Sequence, residues 1–446
     1  MSDRHQIQEA ASPQADLSRR GFLRAGSVAS AAVAAGLSAA AAPAKDKSHG
    51  SALDTIQIGV IGTGGRGGGA AHDTLTINSN VRLVALADLY PEKCHSMRKS
   101  LARRHGEKVA VADEKIYGGL EGYRQVLDDP AVDLVLLATP PGFRPAHIAE
   151  AVAAGKHVFA EKPACVDPAG YRVCLAADQK ARQQGTAIVT GTQYRRQKNY
   201  MEVVKRIHEG QIGDVVSATS RYCTSGIWNR TRKPGMSDAE YQLYNWMHFV
   251  WLSGDQIVEQ AVHNIDAMNW VMGGPPLTAY GSGGRFTRPQ GSQMWDNMAV
   301  DYEYPGRRLL SFQCRQIPHT QGENGSVIYG TEGMARIGAA NKEASISDRK
   351  GQELWSMKGD IAAAYQQEHK DLVDSIRAGQ PIVELRETAD SSLTAAMGRL
   401  AAYSGQQVDW EFVSQKSQLD LFPKNLSMQG PLEMQPHAVP GVTKLI

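Results

Sequence analysis

The sequence predicts an α/β protein of two domains, the first built on a doubly wound parallel sheet, and three observations carry that reading. The apolar run Ile56–Ile61 leads directly into Gly62-Thr63-Gly64-Gly65-Arg66-Gly67, ahead of a helix-compatible stretch. Further apolar runs, Val81–Ala87, Val132–Ala138 and Lys156–Ala160, alternate with helical patterns such as Pro145–Ala154, and strands alternating with helices imply parallel pairing. Finally, 446 residues with 42% hydrophobic and 21% charged side chains suffice for two domain cores.

The glycine segment is G-x-G-x-x-G in the context it requires. Gly62 permits a tight turn, Gly64 lets backbone approach a pyrophosphate, and Gly67 lets the helix pack closely on the strand. Thr63, Gly65 and Arg66 complete the segment, and helix-end N–H groups are suited to hold phosphate. The second strand delivers Asp88 about 20 residues past the last glycine, where a carboxylate accepts from both ribose hydroxyls and repels a 2′-phosphate. NAD is therefore expected over NADP. Two alternatives remain at this level: Arg66 or Arg82 neutralising a phosphate, or Asp88 merely capping the helix that begins near Pro91. The carboxyl edge of such a sheet also carries Thr139-Pro140-Pro141 and Glu161-Lys162-Pro163, so four signals converge on one crevice.

Composition excludes several classes. Forty-eight Lys plus Arg against 46 Asp plus Glu leave a net charge of +2, too balanced for non-specific binding to nucleic acid or an anionic membrane. The five cysteines are scattered, without CxxC or Cys/His zinc spacing, so neither a disulfide framework nor a metal site is expected. At the N-terminus, Ser18-Arg19-Arg20-Gly21-Phe22-Leu23-Arg24 precedes an Ala-rich stretch too short and too weakly apolar for a permanent span. It resembles a twin-arginine export signal, which implies work in the periplasm or a similar compartment. The expected organisation is signal peptide and linker over 1–45, dinucleotide-binding domain over 46–185, second domain over 186–424 and tail over 425–446. The Pro-containing tail reads as an extended arm on this subunit or a neighbour, or as a disordered end.

With these motifs in order, the sequence resembles the Gfo/Idh/MocA family of glucose-fructose oxidoreductase and inositol dehydrogenase. The resemblance rests on the glycine turn, Thr139-Pro140-Pro141 followed by His147, Glu161-Lys162-Pro163, Gly191-Thr192-Gln193, Gly210-Gln211-Ile212-Gly213 and Gly330-Thr331-Glu332-Gly333. It implies an N-terminal Rossmann domain and a C-terminal α/β domain with a large, mostly antiparallel open sheet, whose strands read as Val215–Tyr222, Ala299–Tyr304 and Leu309–Arg315. It also places His147, Glu161 and Lys162 at the cofactor and implies a homo-oligomer.

The aromatic stretch Trp246–Met272 is interrupted by Asp255, Glu259, His263 and Asp266, which excludes a membrane span. Glu259 and His263 are spaced to share a helix face, flanked by Asn264 and Asp266. The family pattern there is Asp-x-x-x-His, so His263 maps cleanly and Glu259 is a departure.

For hydride transfer from a carbinol carbon, Lys162 is the expected base, since the positive ring of an oxidised nicotinamide beside it would favour its neutral form. His263 would share the substrate hydrogen bond or relay the proton, and Glu259 would orient His263 or bind a neighbouring hydroxyl. Tyr194, Arg195, Trp228, His248 and Asp266 are candidate substrate contacts. The aromatic region with Tyr222, Trp228, Tyr241, Tyr244, Trp246 and Trp251 suggests sugar stacking by one or two rings. Because free NAD is scarce outside the cytoplasm, an exported member would retain its cofactor and run a redox-neutral cycle. The expected function is oxidation of a sugar, cyclitol or glycoside hydroxyl. Alternatives are an NAD-dependent glycosidase resembling glycoside hydrolase family 109, which Glu161-Lys162-Pro163 disfavours, and a non-catalytic sugar or NAD sensor.

Overall fold

The structure is a computed structural model that describes residues 55–446. The expected export signal therefore lies outside the described residues.

The first domain runs β1 (Ile56–Ile61), α1 (Gly65–Ile77), β2 (Val81–Asp88), α2 (Pro91–His105), β3 (Ile116–Gly118), α3 (Gly122–Asp128), β4 (Leu134–Leu137), α4 (Arg144–Ala153), β5 (His157–Ala160), α5 (Pro168–Gln184) and β6 (Ile188–Thr190). Its strands pair in the order β3-β2-β1-β4-β5-β6, all parallel. Helices cover both faces, which is why β1 and β4 are nearly unbroken Ile, Val and Leu with almost every residue buried. Strand order reverses between β1 and β4, and the crevice beyond their carboxyl ends is where such sheets bind ligands.

The chain continues through α6 (Lys198–His208), β7 (Val215–Thr224), α7 (Asp238–Tyr244), α8 (Val250–Ser253), α9 (Gln256–Glu259) and α10 (Val262–Met272). Strands β8 (Thr278–Gly284), β9 (Asn297–Tyr304), β10 (Arg308–Gln316), β11 (Glu323–Gly330), β12 (Gly333–Gly338), β13 (Glu343–Asp348) and β14 (Glu353–Lys358) follow, then α11 (Ile361–Arg377), α12 (Leu385–Ser404) and β15 (Val408–Asp409). The nine-stranded sheet has the order β14-β13-β12-β11-β7-β10-β9-β8-β15. Only β7 and β10 pair in parallel among its described neighbours. Alternation is clean on β9, where Met298, Val300, Tyr302 and Tyr304 point into the core and Ala299, Asp301 and Glu303 point out. Helix α12 lies on the inner face so closely that a Cβ at Gly398 would overlap the Tyr302 hydroxyl.

Two boundaries differ from the sequence expectation. The parallel sheet ends at Thr190 rather than at 185, because β6 pairs with β5 through Val158, Phe159 and Ala160. Helix α11, expected in the second domain, returns to the first, where Leu372 and Val373 join the core of Ile58, Leu86 and Phe159. The tail lies on its own subunit: Gly441 N–H donates to Ser404 O at 2.9 Å, and Leu432 O accepts from Gln242 Nε2 at 2.7 Å.

Two core histidines give the first domain an acid sensitivity. His369 on α11 packs against Phe159 and meets Thr74, and His147 on α4 lies between Tyr123 and Phe143. Burial, its largest cause, pushes each down from 6.5 to about 3. Above pH 6.5 both states are neutral and nothing is lost. Below it the unfolded chain binds protons that the folded one refuses, so stability falls as pH falls toward 3, by ~1.4 kcal/mol per pH unit for each histidine. Urea unfolding across pH 6.5 to 4 should show this slope, and His369→Gln should remove one histidine's share.

Candidate active site

The glycine turn is built for a phosphate. Gly62 has φ +94°, and a Cβ there would lie 2.6 Å from the carbonyl carbon of Ala138. A Cβ on Gly67 would overlap Gly62 O, whereas Gly64 and Gly65 face open space. Helix α1 starts with no side-chain cap and no acidic residue in its first turn, so its N–H groups remain for an anion. These features fit a dinucleotide pyrophosphate.

A cleft of about 640 Å³ opens there, lined by Gly62, Gly64, Gly65, Asp88, Thr139 and Pro140 and, from the second domain, by Arg230, Tyr244 and Trp246. Asp88 Oδ2 accepts from Thr63 N–H at 2.8 Å and from the Thr63 hydroxyl at 3.1 Å. Its Oδ1 lies 3.7 Å from Lys93 Nζ and accepts from Tyr90 N–H rather than capping a helix at Pro91. Neither arginine considered as a phosphate partner reaches this site. Arg82 is the second residue of β2 and Asp88 ends it, roughly 20 Å apart at about 3.3 Å per residue. Arg66 points toward β5, where its Nε donates to Glu161 Oε1 at 2.9 Å and its guanidinium covers the Tyr365 ring at 4.7 Å.

That last pairing joins two residues expected at the cofactor. Arg66 and Glu161, both assigned to the cofactor, engage each other. Glu161 also explains Gly191, where a Cβ would lie 2.7 Å from its Oε2. His147 lines the back of the cleft, but its Nδ1 meets the Thr139 hydroxyl at 3.1 Å, so it positions the Thr139-Pro140-Pro141 loop. Arg144 was not anticipated. It is buried and donates to Pro163 O at 2.6 Å and to Thr139 O, tying the two ligand loops together. Burial pulls its pKa down to about 10. Nothing in its sequence context marks it beyond its place before Pro145.

Lys162 projects from the turn after β5, with a cis peptide to Pro163. Its Nζ donates to Glu259 O at 2.5 Å and faces Glu259 Oε1 at 3.3 Å. Glu259 Oε2 accepts from Gln260 Nε2 at 2.7 Å, and Gln260 Oε1 accepts from the Tyr222 hydroxyl at 3.0 Å. His263 follows, its ring 5.4 Å from that of Tyr194. Burial first, then the positive charges of Lys162 and Arg66, hold the imidazole well below its usual pKa and therefore neutral. Glu259 and His263 do not share one continuous helix: α9 ends at Glu259 and α10 begins at Val262. Lys162 contacts Glu259 and its charge acts on His263 across that break.

The remaining substrate candidates each have partners within the protein. Arg195 and Asp266 form a bidentate pair, Nη2 to Oδ1 at 2.8 Å and Nε to Oδ2 at 2.9 Å, completed by the Ser391 hydroxyl at 2.8 Å. With Asp266 buried, the pair ties α10 to α12. Tyr194 stacks on Tyr200 at 4.3 Å and its hydroxyl accepts from Ala340 N–H, leaving its ring edge beside His263. His248 has both ring nitrogens engaged, by the Ser292 hydroxyl and Trp228 O, each at 2.8 Å. Within the aromatic region, Tyr244 and Trp246 line the cleft beside the glycine turn, and Trp251 packs on Phe143. Of that group, only Tyr222 is linked to the Lys162 cluster by the bonds described.

Comparisons with known proteins agree with this architecture. Residues 56–191 match the model of an oxidoreductase family with an NAD-binding Rossmann fold, and residues 200–336 match a GFO/IDH/MocA C-terminal domain. The NAD(+)-dependent scyllo-inositol 2-dehydrogenase of Bacillus subtilis (strain 168) is 24% identical over 300 residues, 66% of this chain and 78% of that protein. Among solved structures, levoglucosan dehydrogenase in complex with NADH and levoglucosan superposes with a TM-score of 0.64 at 18% identity, over 81% of this chain and 100% of that one. Aldose-aldose oxidoreductase from Caulobacter crescentus, complexed with glycerol, gives 0.62 at 18% identity over 80% and 99%. With both domains matched in sequence, the chain belongs to the Gfo/Idh/MocA family of oxidoreductases.

Proposed function

We propose that this protein is an exported, NAD-dependent oxidoreductase that oxidises a secondary hydroxyl of a sugar, cyclitol or glycoside and keeps its cofactor between turnovers. The observation that carries this is Lys162, fixed by two contacts to Glu259 beside a neutral His263 on the carboxyl side of the parallel sheet. When bound, the dinucleotide supplies the hydride acceptor. Gly64, Gly65 and the α1 N-terminus would hold its pyrophosphate, and Asp88 its ribose diol.

The chain's own residues then supply position and proton transfer. Lys162 Nζ holds the reacting hydroxyl and takes its proton as the C–H bond breaks. Glu259 fixes the direction of Nζ, and Gln260 with Tyr222 fixes Glu259. His263, neutral and without a hydrogen-bond partner among the described residues, shares the hydrogen bond of the substrate hydroxyl. Inositol and levoglucosan dehydrogenases among the similar proteins support a polyol or sugar substrate. The aldose-aldose oxidoreductase supports a redox-neutral pairing of two sugars. Arg19-Arg20 and the Ala-rich stretch after them support export. The nine-stranded sheet leaves a face bearing Tyr280 and Leu309 exposed, which supports assembly with further copies.

Preference for NAD rests on Asp88 and on a cleft with no surplus positive charge, since Asp88, Glu92 and Glu240 offset Lys93, Arg230 and Lys233. Asp88→Ser should lower kcat/KM for NAD by about 10- to 100-fold, the equivalent of one or two charge-assisted hydrogen bonds. It should leave the value for NADP unchanged or higher. Incubating the purified protein with NAD and a panel of sugars, cyclitols and aryl glycosides tests the function. Growth of reduced-nicotinamide absorbance without aglycone release is expected. Aglycone release with no net change in the cofactor identifies a glycosidase instead, and cofactor binding with no response to any sugar identifies a sensor.

A further inference from the structure

Between β7 and α9 the chain leaves the second domain's sheet and crosses to the first domain. Arg230, Lys233, Glu240, Leu243, Tyr244 and Trp246 face the same cleft as Asp88, Tyr90 and Leu120. This is the β2 side of the switch point, across β1 from the β5 end that carries Lys162. Catalysis does not account for the segment.

It is an ordered element. Ser237 and Glu240 form a reciprocal capping box at the start of α7. The buried Asn245 side chain accepts from Arg230 N–H at 2.9 Å and donates to Arg230 O at 2.7 Å, closing the loop at its neck. The Arg230 guanidinium covers the Trp228 ring at 4.1 Å and the Tyr244 ring at 4.8 Å. At the base, Trp251 meets the Thr139-Pro140-Pro141 loop so closely that a Cβ on Gly142 would overlap Trp251 O.

The C-terminal tail runs across this segment. The Ser237 hydroxyl donates to Met428 O. Gln242 Nε2 donates to Leu432 O at 2.7 Å while its Oε1 accepts from Trp251 Nε1 at 2.7 Å, and Gln293 Nε2 reaches Gln435 O at 3.0 Å. Leu421, Leu426, Leu432 and Met434 pack onto the cluster of Phe249, Trp251 and Leu252. Phe422 adds edge contacts to Phe143 of the first domain, at 5.4 Å, and to Trp251, at 5.6 Å.

We propose that residues 228–246 form a cover that contacts the adenosine half of the bound dinucleotide, and that residues 421–435 form a strap holding the cover shut. Cofactor release then requires the strap and cover to move, which makes release slow. This inference rests on the dinucleotide-dependent function proposed above. It assigns the retention of the cofactor to this chain's own tail.

The test is the rate at which NADH leaves the full-length protein, followed by loss of its fluorescence when excess NAD is added. Leu432→Asp and Met434→Asp loosen the strap without touching the cleft, and Tyr244→Ala alters the cover itself. Each should speed release by roughly tenfold or more, since interface changes act chiefly on dissociation. Single-turnover rates of the pre-loaded strap variants should stay at the parent's value. Strap variants that melt at the parent's temperature and release NADH at the parent's rate overturn the strap. An intact protein that binds no NADH overturns both the strap and the proposed function.

Discussion

Lys162→Ala lowers turnover by about 10²- to 10⁴-fold, the range for removing a positioned proton acceptor, and leaves NADH binding close to the parent's. The separation follows from where the groups lie. The pyrophosphate cradle is made by the turn at Gly62–Gly67 and the α1 N-terminus, to which Lys162 contributes nothing. Its Nζ is engaged by the backbone and carboxylate of Glu259, on an element of the second domain. Lys162→Arg should rescue little, because a guanidinium does not surrender its proton and has a different shape. Steady-state kinetics together with an NADH titration check this. A variant that turns over normally would remove Lys162 from the chemistry.

The second large effect is expected from Gly67→Ala. The added Cβ would overlap the carbonyl oxygen of Gly62, a backbone atom that cannot swing aside as a side chain could. Either the turn or the first residues of α1 must shift, and both belong to the pyrophosphate cradle. The expected cost is about 1–3 kcal/mol of stability, together with loss of NADH binding at concentrations that saturate the parent. Gly64→Ala is the matched control, since its Cβ meets nothing within 4 Å. It should melt at nearly the parent's temperature and yet bind NADH more weakly, because Gly64 lines the cleft. Equal melting temperatures for Gly67→Ala and the parent would contradict this account of the turn.

The parts of the molecule legible in the sequence are those whose physics is local. A buried parallel strand must be an apolar run, and a turn that passes phosphate under a helix must lack Cβ atoms, so β1, β2, β4 and Gly62–Gly67 declare themselves. Asp88 and Lys162 are equally visible, because the one ends β2 and the other follows β5 at the ligand edge. What could not be read depends on contacts between distant residues. Arg195 and Asp266 look like free polar groups until α10 and α12 bring Asp266 to Ser391. The rings between Tyr222 and Trp251 suggest a sugar platform by composition alone. Their placement around the cleft is set by a loop whose anchors, Met428 and Leu432, lie about 190 residues away. The break between α9 and α10 has no proline or glycine to announce it, so the spacing of Glu259 and His263 suggests one helix where there are two.

The most direct test of the central claim follows the transferred hydrogen. The protein loaded with NAD is mixed with sugars and cyclitols deuterated at their carbinol carbons, and the cofactor is recovered and analysed by mass spectrometry. The account predicts reduced cofactor carrying deuterium, with far less formed by Lys162→Ala in the same time. Cofactor recovered oxidised and unlabelled from every substrate would contradict it.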